Sequence, residues 1–249
     1  MTAGGVYVYA IIRAGRPLPA DAGGVGNPAA SLRTVGRGRV AAVVSEAPPK
    51  LRARRRDLLA HQDLLLRLSE DGPVLPMRFG MVAPDEETVR GQLTVGEADH
   101  IAALEHLSDG VEINVKAFPA QHALAGLVAE DATVRRLREE ARRRPGYEAS
   151  LRLGEAVAAA LESRAAEAGR RLLRELTPLA RAVAAGPEVQ GCALNVSFLV
   201  GRGDSDDFRD AVERFADVHH EQVELRLAGP LPCYSFVPAE GPHLRAVGV

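Results

Sequence analysis

The sequence predicts an α+β chain of two domains, and three observations carry that prediction. Apolar and polar residues alternate along Val111–Ala117, Leu194–Val200 and Val223–Leu227, the pattern of strands with one buried face. Between these stretches lie long segments with apolar residues at three- and four-residue spacing, as in amphipathic helices. The pattern also restarts at Ser108-Asp109-Gly110, which separates an N-terminal α+β domain, residues 1–109, from a C-terminal domain, residues 110–249. The C-terminal part reads β-α-α-β-α-β. Its strands are apolar on one side only, so its helices must share one face of the sheet. That is a ferredoxin-like two-layer sandwich with extra long helices, followed by a C-terminal extension.

Composition narrows the function classes. A chain of 249 residues can bury a substantial core, and 46% hydrophobic with 26% charged residues is a globular balance. The net charge of −2 gives no reason to expect a nucleic-acid partner. Only Lys50 and Lys116 among the 31 basic residues are lysines, an arginine bias that we read as compositional. Cys192 and Cys233 lie in or beside apolar stretches and are expected as buried thiols of a reducing compartment, with a disulfide left open. The start, Met1–Gly5, has no signal-peptide pattern, and no apolar run reaches the roughly 18 residues of a membrane span. A cytoplasmic protein is expected.

In order, Val6–Ile12 (VYVYAII) is a strand apolar on both faces, and Gly15–Pro28 is a Gly- and Pro-rich loop. A hairpin turns at Gly36-Arg37-Gly38. A helix spans about Ala53–Leu68, with Leu58, His61, Leu65 and Leu68 on its apolar face and Asp57 off it. Val74–Gly80 (VLPMRFG) alternates as a strand, with Leu75, Met77 and Phe79 on one side and Pro76 and Arg78 on the other. Pro76 cannot donate to a ladder, which points to a strand that starts late or lies at an edge. Pro84 and the acids after it open a helix, and a second covers Gly96–Leu107. A long helix over Ser150–Ala185 is expected to kink at Pro178. The strand faces carrying Glu112, Asn114, Lys116, Asn195, Ser197, Glu224 and Arg226 are expected to be solvated or covered by another body.

Catalytic and metal-binding patterns are weak. His61 lies on an apolar helix face without metal-ligating partners, where a packed, hydrogen-bonded histidine is the ordinary outcome. Asp99-His100 and Glu105-His106 have no ligand spacing and read as surface helix residues. Gly201-Arg202-Gly203 lacks the rest of any phosphate loop, and Asp204, Asp206 and Asp207 would repel phosphate. Neither cofactor, metal nor catalytic residue is assigned, and the chain is expected not to be an enzyme.

Five segments in this order, VYVYAII, VLPMRFG after a helix bearing His61, GVEINVKAF, LNVSFLV and the ending GPLPCYSFV, resemble the gas vesicle GvpL/GvpF family over nearly the whole chain. The resemblance implies a non-catalytic accessory protein of gas vesicle formation. Its partners would be the small hydrophobic shell protein and other accessory proteins, and its place the cytoplasm and the gas vesicle. Pro76, Met77, Arg78, Phe79, Pro232, Tyr234 and Phe236 match family motif positions. With Lys116 and Arg226 of the open sheet face, they are the candidate partner-binding residues. The competing expectation is a small-molecule or enzymatic pocket where His61 and Arg78 converge.

Overall fold

The computed structural model describes residues 5–49 and 51–237. These residues divide into two compact units, one of residues 5–112 with 230–237, the other of residues 113–229. Residues 230–237, which the sequence pattern attached to the second domain, therefore group with the first unit. The ends of the expected domains, 1–4 and 238–249, lie outside the described residues.

The first unit is built on β1 (Val6–Arg13), buried from Val6 through Ile12 as its apolar composition requires. With β2 (Arg33–Arg37), β3 (Val40–Glu46) and β4 (Leu75–Pro76) it makes a sheet ordered β2-β3-β1-β4. The β2–β3 hairpin forms as expected, and Gly38 takes a φ of 67° in its turn. A register shift in β1 falls between Val8 and Ala10. α1 (Arg55–Glu70) packs on β1, and α2 (Glu86–Val95) and α3 (Glu97–His106) pack against strands of the same sheet. Asp85 caps α2 by accepting the Thr88 N–H at 2.7 Å.

Two helix faces differ from expectation. On α1 the buried residues are Asp57, His61, Leu64, Leu65 and Leu68, while Leu58 is 41% exposed. Asp57 turns inward because its carboxylate accepts the Gly26 N–H at 3.1 Å and the Arg56 side chain at 3.3 Å, which replaces lost water. On α3, His100 is buried whereas Asp99, Glu105 and His106 are exposed. It lies four residues before buried Leu104, so the helical repeat places it on the core side.

The VLPMRFG stretch is not one alternating strand. Only Leu75–Pro76 pairs with β1, then the chain leaves the sheet and returns as β5 (Val82–Ala83), again antiparallel to β1. Val74, Leu75, Pro76 and Met77 are all buried, so alternation of faces is lost. Pro76 does lie on the last strand of the main path, at the edge where its missing N–H costs no ladder bond.

The second unit has a sheet of β6 (Gly110–Pro119), β7 (Ala182–Ala185), β8 (Leu194–Gly201) and β9 (Val223–Leu231), ordered β7-β8-β6-β9. Numbered within the unit this is 2-3-1-4, the ferredoxin-like arrangement, with α7 (Ser205–His219) in the last crossover. The first crossover carries α4 (Leu124–Glu130), α5 (Ala132–Arg143) and α6 (Tyr147–Leu176). Pro178 terminates the long helix rather than kinking it: a 3-10 turn spans Thr177–Leu179, and β7 follows. The strand had no legible pattern because three of its four residues are alanines.

The strand face expected to be open is unevenly so. Glu224 and Arg226 are exposed, but Ser197 and Glu112 are buried, and Asn114 is half-buried. The Asn114 amide divides its two hydrogens among Asn195 Oδ1 at 2.9 Å, the Val196 carbonyl at 3.1 Å and Ser197 Oγ at 3.1 Å. Asn114, Asn195 and Ser197 thus satisfy one another. Among the described residues no helix is long and apolar enough to cross a membrane.

Candidate functional site

Between β4 and β5 the chain makes a bulge at the edge of β1. The Met77 N–H donates to the Tyr9 carbonyl at 2.8 Å, and the Val8 N–H donates to the Met81 carbonyl at 2.9 Å, so both ends of the bulge are tied to β1. The Met81 N–H also closes a turn on the Arg78 carbonyl at 3.3 Å, and Gly80 takes a φ of 91°, open to glycine. The excursion therefore presents Arg78 and Gly80 as exposed residues with Phe79 half-buried between them.

His61 holds this bulge from beneath. The ring is 3% exposed, and its Nε2 lies 3.0 Å from the Met77 carbonyl. A carbonyl only accepts, so Nε2 carries the proton of a neutral ring, and Nδ1 accepts the Tyr7 hydroxyl at 3.0 Å. Tyr7 Oη in turn accepts the Gly80 N–H at 3.1 Å. One histidine and one tyrosine thus fix the backbone on both sides of Arg78. Phe79 closes the cluster edge-on to both, with ring centroids 6.0 Å from Tyr7 and 5.7 Å from His61. Burial pulls the His61 pKa below its usual value, against the Met77 hydrogen bond, and burial raises that of Tyr7. Tyr9 runs a parallel chain: the Val25 N–H donates to its oxygen at 2.7 Å, its hydroxyl donates to Ser45 Oγ at 2.9 Å, and Ser45 donates to the Glu46 carbonyl at 3.1 Å.

The C-terminal motif reaches the same cluster. Pro232 and Cys233 are buried, and a 3-10 turn at Tyr234–Phe236 follows. The Tyr234 hydroxyl lies 3.3 Å from His61 Nε2, although 39% of the residue is exposed. Burial of its hydroxyl end, with the Glu112 charge nearby, pushes its pKa up to about 12. Ser235 donates its N–H at 2.9 Å and its hydroxyl at 2.7 Å to the two oxygens of Glu112, which is 4% exposed. Motif pieces more than 150 residues apart in sequence thus meet at His61.

Lys116 and Arg226 belong to the second unit and form a separate group. Arg226 lies 4.4 Å over the Phe118 ring and pairs with Glu224 at 3.0 Å, while Lys116 is half-buried. The two cysteines are free thiols. Both His61 nitrogens are engaged inside the core, whereas Arg78 is exposed. A shallow groove of about 670 Å³ lies instead along residues 186–195 of the second unit. Among the described residues no three His, Cys, Asp or Glu are grouped to hold a metal ion. Sequence reading missed Tyr7, Ser235 and Glu112 as partners of the motifs.

Comparison with known proteins supplies the family. The model of the gas vesicle synthesis protein GvpL/GvpF matches residues 5–238. Gas vesicle protein F of Streptomyces sp. (strain CB03234) is 42% identical over 235 residues, covering 93% of this chain and 98% of that protein. Gas vesicle protein L of the same strain is 30% identical over 255 residues, covering 92% and 91%. The crystal structure of GvpF from Anabaena sp. PCC7120 shares the fold at a TM-score of 0.73 and 24% identity, covering 95% of this chain and 97% of that one. With a family match across both motifs and both units, this chain belongs to the gas vesicle GvpL/GvpF family.

Proposed function

We propose that this protein, an accessory protein of gas vesicle formation by family, holds the hydrophobic shell subunit during assembly and does so without catalysis, nucleotide or metal. The observation that carries the reading is the Arg78–Gly80 bulge: a cation and a half-exposed ring on a sheet edge, fixed by His61 and Tyr7 rather than left mobile. A shell subunit with exposed apolar surface aggregates unless covered, and a preorganised edge can cover it at little ordering cost. Arg78 and Phe79 would make the contact, with Tyr234 at His61 and Phe236 two residues further on in the C-terminal segment. Pro76, Met77 and Pro232 are buried and would shape the surface from below. Lys116 and Arg226 form the alternative contact.

Co-purification of the tagged protein with the shell subunit tests this. Wild type is expected to retain the subunit, Arg78→Ala to lose most of it while remaining folded, and Lys116→Glu/Arg226→Glu to retain it. The reverse pattern would move the contact to the second unit, and no retention by folded wild type would overturn the reading. Washed vesicles lacking the protein would identify a factor that leaves, whereas its persistence there would make it a component of the wall.

A further inference from the structure

β7 is an outer strand of the second unit's sheet, paired with β8 along one side only. Its register sets Ala182 opposite Leu199 and Ala184 opposite Ser197, and the Gly186 N–H donates to the Asn195 carbonyl at 2.9 Å. An antiparallel ladder alternates, so Ala182, Ala184 and Gly186 turn their backbone groups toward β8. Val183 and Ala185 therefore turn theirs outward, and both residues are exposed. Protein edges are commonly blunted by charge or proline, as β2 is by Arg33 and Arg37 at its ends. Ala-Val-Ala-Ala in β7 carries neither.

The chain around this edge is balanced about Ala184. Val183 and Ala185 flank it, and Arg181 and Pro187 lie three residues to either side, with Glu188 next to Pro187. Leu179 and Val189, 48% and 36% exposed, lie five residues to either side. A strand that meets itself head to tail at Ala184 thus finds complementary residues at each step.

We propose that β7 pairs antiparallel with β7 of a second copy of this chain, across a twofold axis at Ala184. Val183 of each copy then exchanges both hydrogen bonds with Ala185 of the other, so the outward N–H and C=O groups of the edge are all paired. On that face a branched side chain meets a small one. Arg181 comes opposite Pro187 and beside Glu188 of the second copy, which sets unlike charges together at both ends of the ladder. Pro187 has no N–H to offer and stops the pairing there. The same axis brings each Leu179 toward Val189 of the other copy, a residue that lines the shallow groove. The inference does not depend on what the Arg78 bulge contacts.

Sedimentation velocity of the full chain at rising concentration tests it. Wild type is expected to pass from monomer to dimer. Ala185→Pro removes one outward N–H and no bond to β8, so it should raise the dimer dissociation constant at least about tenfold with an unchanged melting curve. Mild oxidation fixes the register. Ala184 faces its own copy in a non-hydrogen-bonded pair, where Cβ atoms come within about 4.5–5.5 Å, so Ala184→Cys should give a disulfide-linked dimer. Ala182→Cys, on the same face two residues away, should stay at the background that Cys192 and Cys233 set in wild type. A wild type monomeric at every concentration, a dimer indifferent to Ala185→Pro, or crosslinking as strong at Ala182→Cys as at Ala184→Cys would overturn the proposal.

Discussion

At the scale of single residues, His61 governs the bulge, and its environment sets measurable consequences. Replacing it by phenylalanine leaves the Tyr7 hydroxyl and the Met77 carbonyl without their buried partner. Each such loss costs about 1–3 kcal/mol, so His61→Phe should lower unfolding free energy by roughly 2–4 kcal/mol in urea titration. The pH dependence follows from the depressed pKa. The unfolded imidazole binds a proton near pH 6.5 and the folded one resists it, so the unfolded state holds more protons below that value. Stability should therefore fall as pH drops below about 6.5, and this acid limb should flatten in His61→Phe. Tyr234 acts at the other end of the scale. Its unfolded hydroxyl ionises near pH 10 and the folded one near about 12, so stability should also decline as pH rises through that window, less so in Tyr234→Phe. The apolar helix face of His61 was readable from spacing, since it lies between Leu58 and Leu65. Its partners were not, because Tyr7 looked like any aromatic in a buried strand and the Met77 contact is to backbone.

At the scale of elements, the short segments resisted reading and the long ones yielded. β8 and α7 follow strong periodic patterns, and the structure places them where the patterns do. VLPMRFG misled because its alternation is real in sequence, but the side chains of Tyr7 and His61 bind its backbone where it leaves the strand path. The bulge needs glycine at its turn: Gly80→Ala, at a φ of 91°, should destabilise by about 1 kcal/mol through backbone strain alone. A larger loss of shell-subunit retention than of stability in that variant would separate the shape of the bulge from its mere presence. Ser235→Ala tests the other clasp. Glu112 would keep the backbone N–H but lose the 2.7 Å hydroxyl bond, a charge-assisted contact of about 1.5–3 kcal/mol. Amide exchange at 233–236 should quicken at least about tenfold, with protection in α7 unchanged.

At the scale of the whole chain, the order of elements was legible and the allegiance of the last segment was not. Alternating strands and long helices sufficed for the ferredoxin-like unit, because each pattern spans enough residues to fix a face. Residues 230–237 carry no period, and their place is set by single contacts: Tyr234 at His61 and Ser235 at Glu112. Chain position suggested the second domain; hydrogen bonding assigns the first unit. This gives the end of the chain a structural role that truncation can expose. Ending the protein at Gly229 removes both donors to a buried carboxylate, the hydroxyl beside His61, and the burial of Pro232 and Cys233. The loss in the first unit should reach roughly 3–5 kcal/mol, since an abandoned buried charge alone costs several kcal/mol until water reaches it. Hydrogen exchange should show β1 and α1 losing protection while α7 keeps it. Equal protection in β1 and α1 of the full and shortened chains would mean that the first unit stands without its C-terminal clasp.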